Sequence, residues 1–83
     1  MNVLQRPEWS GTPRELGELF VLTKDTDQRA RALLRSHQFG WEVCLVVGKT
    51  RGELVQSQVC RTQEEVLTAG EQWKARLVAQ GWS

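Results

Sequence analysis

The sequence predicts an α+β domain in which a four-stranded antiparallel meander is followed by a C-terminal helix packed on one face, in the order β-β-β-β-α. Three observations carry this expectation. From Gln28 to Val47 two period-2 patterns lie back to back across a short polar turn. In the first, Arg29, Arg31, Arg35 and His37 alternate with Ala30, Ala32, Leu34 and Ser36; after Gln38-Phe39-Gly40, Trp41, Val43, Leu45 and Val47 alternate with Glu42, Cys44 and Val46. Next, Gly48-Lys49-Thr50-Arg51-Gly52 is a loop bracketed by glycines, suited to joining two antiparallel strands. Last, Thr62-Gln63-Glu64-Glu65 reads as a capping box that opens a stretch of apolar residues at helical spacing.

Taken in order, residues 1–16 carry both prolines, Pro7 and Pro13, with Ser10-Gly11-Thr12 between them, and show no sustained period. They read as an irregular N-terminal arm ahead of a single β4-α domain at 17–83, and Trp9 reads as the anchor that ties the arm to that domain. Glu18-Leu19-Phe20-Val21-Leu22-Thr23 is short and rich in β-branched and aromatic types, which favours a strand, and Lys24-Asp25-Thr26-Asp27 supplies a polar turn. The second strand, 28–37, contains good helix formers, but as a helix it would scatter its arginines around the cylinder and have no apolar stripe. The third strand, 41–47, pairs with it so that Leu34 faces Val43, Ala32 faces Leu45 and Ala30 faces Val47 under the helix. That register also sets Arg35 opposite Glu42 on the outer face, an opposite-charge pair that supports it. A slip of one residue would invert every side chain. The fourth strand, 53–60, places Val55, Ser57 and Val59 on one face and Gln56, Gln58 and Cys60 on the other, the latter set expected on the outer face with Cys44.

The helix start is the strongest local signal. Thr62 can accept from the Glu65 N–H while the Glu65 carboxylate reaches back to the Thr62 N–H. Val66, Gly70, Trp73 and Leu77, with Leu67 and Ala69 beside them, form the apolar stripe, and Gly81 supplies the stop. A mid-helix glycine costs about 1 kcal/mol against alanine, so Gly70 is expected where the helix approaches the sheet closely.

Composition bounds the function. Eighty-three residues with 40% hydrophobic side chains and four tryptophans suit one globular domain. The formal net charge of +1, from 11 basic and 10 acidic residues, lacks the strong basic excess of a dedicated nucleic-acid binder, so any attraction to phosphate is local. No stretch approaches the ~20 apolar residues that would span a bilayer, and the first residues reach Pro7 and Glu8 before any apolar run develops, so the expectation is a cytoplasmic protein without a membrane partner. Two cysteines, Cys44 and Cys60, are too few and too far apart for a metal clip or a disulfide framework.

Catalytic signatures are absent from the sequence. Ser36 and Ser57 lack a nucleophile-elbow context, and His37, the single histidine, stands beside a turn without cysteines or carboxylates at ligand spacing. A Cys–His dyad would need His37 beside Cys44 or Cys60, whereas the strand pattern separates His37 from Cys44 along neighbouring strands. Asp25 and Asp27 share a turn, where capping explains both, and the Gly48–Gly52 loop lacks P-loop spacing and a following helix. No metal or cofactor is expected.

What remains is the outer face of the sheet, with Arg29, Arg31, Leu33, Arg35 and Val46 as its interaction surface and Phe20 expected to border it. An apolar patch open on one side of a sheet invites a protein partner or a second copy of the chain. The arginines could instead bind phosphate, with Phe20 or Phe39 stacking on a base; the bland explanation is a solvated strand whose charges discourage aggregation, and the net charge favours it. The order of strands and helix, with Trp73-Lys74 and Gly81-Trp82 near its end, resembles that of the WGR domain over roughly residues 18–82. That likeness implies nucleic-acid association. Gly40-Trp41-Glu42 stands where the Trp-Gly-Arg motif would fall and has no arginine, so no functional residue carries over. The leading expectation is a small non-enzymatic interaction or self-associating module, with a weak nucleic-acid binder as the alternative.

Overall fold

A computed structural model of the chain describes residues 7–25, 27–49 and 52–83. Four strands, β1 (Glu15–Lys24), β2 (Gln28–His37), β3 (Gly40–Gly48) and β4 (Glu53–Cys60), form one antiparallel sheet in the order β1-β2-β3-β4, and the helix α1 (Gln63–Ala79) packs on it. The expected α+β meander is therefore the observed fold. The turn residue Thr26 and the loop residues Thr50 and Arg51 lie outside the described residues.

The β2–β3 register is the one the alternation dictates: Leu34 pairs Val43, Ala32 pairs Leu45, Ala30 pairs Val47 and Arg35 pairs Glu42. Ala30, Ala32, Leu34, Val43 and Leu45 are buried and meet Val66, Trp73 and Leu77 of α1 in one core. Ala30 and Ala32 are both fully buried in that core, and small side chains at the centre of a sheet leave space for larger ones packed over it.

β1 begins at Glu15, ahead of the apolar run, and is irregular. Register shifts between Glu15 and Gly17 and between Glu18 and Phe20 mark bulges at Leu16 and Leu19. Each extra residue lets neighbours in sequence face the same way, so Leu16, Leu19 and Phe20 all pack against the core. Phe20 thus belongs to the helix side and does not border the outer face as expected. The Leu19 Cδ1 methyl would lie 3.3 Å from a Cβ at residue 70, so Gly70 does serve close approach of helix and sheet.

β4 departs from expectation. Cys60 pairs Trp41, Gln58 pairs Val43 and Gln56 pairs Leu45, which puts this set on the helix side; Val59 pairs Glu42 and Ser57 pairs Cys44 on the outer face. Arg76 of α1 accordingly donates to Gln56 Oε1 at 2.6 Å. The reason is pairing. The tight turn into the helix places Cys60 beside core-facing Trp41, and a Cβ on Gly40 would come within 2.7 Å of the Cys60 carbonyl, so this corner closes only around a glycine. A bulge between Leu45 and Val46 leaves Val55 without a partner in β3 and restores the frame for Leu54 opposite Val46. Cys44 and Cys60 therefore lie on opposite faces of the sheet.

The helix ends are closed at both termini. The Glu65 N–H donates to Thr62 Oγ1 at 3.1 Å. The Glu65 carboxylate accepts from the Arg61 N–H, one residue earlier than the expected Thr62 N–H. At the other end Gly81 (φ +101°) makes a Schellman turn: the Gly81 N–H donates to the Val78 carbonyl at 3.1 Å and the Trp82 N–H to the Leu77 carbonyl at 3.0 Å. Trp82 is thereby buried in the core, and Ser83 exchanges two backbone hydrogen bonds with Thr23, at 2.8 and 2.9 Å, along the free side of β1.

Candidate interaction surface on the outer sheet face

The face away from α1 consists of rows that cross the sheet. The first runs Glu15, Arg35, Glu42, Val59; the second Glu18, Leu33, Cys44, Ser57; the third Val21, Arg31, Val46, Leu54; the fourth holds Thr23, Arg29 and Gly48. Arg29, Arg31 and Arg35 do project together from β2, as the alternation requires. Glu15, Glu18 and Glu42 interleave with them, so the face carries as many acids as arginines, and the Arg31 guanidinium sits 3.8 Å from the Glu18 carboxylate. Such a part-exposed pair is worth about 0–1 kcal/mol. Arg35 and Glu42 are register partners without forming an ion pair among the described residues.

Leu33 is 6% exposed and Cys44 fully buried, although both face outward. Cys44 stands on an inner strand among Leu33, Arg35, Glu42, Val46 and Ser57, and long neighbours of this kind cover a small side chain with their stems. The expectation that Leu33 offers open apolar surface is therefore corrected. The open apolar surface lies elsewhere: Leu54 and Val55 are 58% and 57% exposed and Val59 43%, all on β4, with half-exposed Val21 at the opposite side and partly buried Val46 between. Sequence reasoning missed this rim because it placed Gln56, Gln58 and Cys60 on the outer face and so Val55 and Val59 on the other.

At the β2–β3 turn the exposed Phe39 ring lies 5.6 Å from the His37 ring, which lies 6.2 Å from Trp9. The Arg61 guanidinium covers Phe39 at 5.0 Å. His37 Nδ1 accepts from the Phe39 N–H at 3.1 Å, which fixes the ring against the turn.

Neither cysteine is set up as a nucleophile. Burial pushes the Cys44 thiol up, the Glu42 carboxylate adds to this and Arg35 opposes it. Burial raises Cys60 as well, Glu65 adds to it, and the Gln58 amide, 3.9 Å from the sulfur, opposes it. A reactive thiol needs the reverse, a depressed pKa and access. Among the described residues no three His, Cys, Asp or Glu side chains gather where they could hold a metal ion. A groove of about 180 Å³ between β1 and α1, lined by Leu19, Phe20, Leu67, Gly70 and Lys74 among others, is smaller than the ~300 Å³ at which small-molecule sites begin. No helix among the described residues is long and apolar enough to cross a membrane.

No protein-family model, no curated protein and no solved structure matches the chain. The likeness to the WGR domain thus rests on element order alone.

Proposed function

We propose that this chain is a small, non-enzymatic, cytoplasmic protein-interaction module that binds through the outer face of its sheet. The observation that carries the reading is the group of exposed aliphatic side chains Leu54, Val55 and Val59 on β4, continued inward by part-buried Val46 and separated by Arg31 from exposed Val21 on β1, which leaves large apolar side chains in water beside arginines and glutamates. Exposed apolar surface beside mixed charge is what protein interfaces use, and Arg31 and Arg35 lie next to it on β2. The raised thiol pKa values and the absence of a histidine beside either cysteine support a role without chemistry.

The test is capture of partners from native lysate on the immobilised chain at about 0.1 and about 0.5 M salt, with nuclease treatment as control. Capture that persists at high salt and is lost in Val21→Glu and Val46→Glu supports a protein interface. A second reading, weak nucleic-acid binding by Arg29, Arg31 and Arg35, draws on the exposed Trp9–His37–Phe39 cluster under Arg61, where a base could stack. Capture that collapses with salt and nuclease favours that reading instead.

A further inference from the structure

We infer that the exposed flank of α1 is a self-pairing surface, on which a second copy of this chain packs its own helix antiparallel about a two-fold axis level with the Gln72–Trp73 step. This surface lies on the helix side of the sheet, so the inference is independent of the reading of the outer face.

On α1, Leu67, Glu71, Lys74 and Val78 follow one another at spacings of four, three and four residues, the repeat that keeps a stripe straight along a helix. All four are exposed, Leu67 at 48% and Val78 at 51%, so this stripe is distinct from the buried one of Val66, Gly70, Trp73 and Leu77. Leu67, Glu71 and Lys74 border the groove shared with Leu19 and Phe20 of β1, whereas Arg76 reaches the other way, to Gln56 of β4. The stripe therefore looks to the β1 side of the helix. Neither Glu71 nor Lys74 enters an ion pair among the described residues, and the aliphatic residues above and below them stand in water.

The order of these four residues is self-complementary. In an antiparallel pair centred between 72 and 73, Leu67 is level with Val78 of the second copy and Glu71 with its Lys74, each twice, so aliphatic contacts at both ends flank two opposite-charge pairs. Other arrangements lose this match. Centring on Glu71 sets that carboxylate against itself, centring on Lys74 sets two ammonium groups together, and a parallel pair does both. In the matched register Val78 of the second copy lies beside Leu67 at the groove, whose volume of about 180 Å³ is below that of a small-molecule site and suits one aliphatic side chain. Both outer sheet faces stay open, because each is turned away from its own helix.

From Leu67 to Val78 the stripe is about 16 Å long at about 1.5 Å per residue, and a contact of one helix flank belongs among small, reversible interfaces. Sedimentation velocity of the intact chain from about 10 μM to about 1 mM should show a concentration-dependent monomer–dimer equilibrium that weakens in high salt. Leu67→Gln combined with Val78→Gln, both at exposed positions, should give a monomer with an unchanged circular dichroism spectrum. Glu71→Lys and Lys74→Glu each turn two attractive pairs into two repulsive ones and should each weaken the dimer about tenfold. Mixed in equal amounts, these two charge variants should pair with each other, since every lysine on the stripe of one then meets a glutamate of the other. Leu67→Cys with Val78→Cys should form a disulfide-linked dimer on mild oxidation, whereas Leu67→Cys alone should not, because the two copies of that position lie about 16 Å apart. A chain that stays monomeric at the top concentration overturns the proposal, as does a dimer that the glutamine substitutions leave intact. A dimer lost in Val21→Glu and Val46→Glu but kept in the glutamine variant overturns it too, by assigning self-association to the outer face; a heterodimer formed only on mixing the two charge variants supports the helix pair.

Discussion

Thr62 holds the first turn of α1 through a single acceptor, its Oγ1 taking the Glu65 N–H. Thr62→Ala removes it and should cost about 1 kcal/mol, read as a lower urea midpoint with an unchanged slope. An unaltered midpoint would show that the Glu65 bond to the Arg61 N–H suffices. The cysteines make a second residue-scale prediction. Both thiols are raised above the ordinary value of 9.0, so the fold favours their neutral form. Below that value folded and unfolded chains are both protonated and the contribution is complete. Above it the unfolded chain releases protons that the fold retains, and stability falls as pH rises until the folded thiols ionise as well. Urea midpoints measured upward from neutral pH should stay level to about pH 8 and then decline, with Cys44→Ala flattening the decline.

At the scale of elements, α1 lies between a corner and an edge. Its N-terminus is tied to the end of β4 by the short Arg61-Thr62 turn, and its C-terminus to β1 through Gly81, Trp82 and Ser83. Gly81 adopts φ +101°, and a Cβ there would meet nothing nearer than Lys24 Cε at 3.7 Å, so a substitution is opposed by backbone conformation and not by crowding. Gly81→Ala should therefore cost about 1–2 kcal/mol, with Gly81→Asn costing less because asparagine tolerates the left-handed region. Equal losses in the two variants, measured by thermal unfolding, would show that the Schellman turn is not what fixes the end of the helix.

Across the whole molecule, Trp73 joins the helix to the sheet: it is buried in one core cluster with Ala30, Ala32, Leu34 and Leu45. Trp73→Ala should cost roughly 3–5 kcal/mol, a large share of the stability of a small domain, and collapse the dispersion of amide resonances. Replacing Arg29, Arg31 and Arg35 together by glutamine probes the opposite face. Arg29 is exposed and the Arg31 pair with Glu18 is weak, so each change should stay within about 0.5 kcal/mol in urea unfolding while binding through the face is lost. A large stability loss with binding intact would refute the proposed surface.

The sequence alone determined the four strands, the capped helix and the β2–β3 register, because each leaves a local trace: alternation, a Thr-x-x-Glu cap and a glycine stop. It also placed Arg29, Arg31 and Arg35 on one face. Tertiary structure decided what has no periodic signature. Bulges at Leu16 and Leu19 turned Phe20 inward, and neighbouring strands closed over Leu33 and Cys44. The faces of β4 were undecidable locally, since Val-Gln-Ser-Gln-Val-Cys offers two sides of similar polarity; pairing of Cys60 with Trp41 and the bulge at Val55 chose between them. Trp82 became core through the Schellman turn and the docking of Ser83 on β1. Alternation records which residues share a side of a strand, but which side meets the helix is set by partners distant in sequence, and on an edge strand only one neighbour is present to impose the choice.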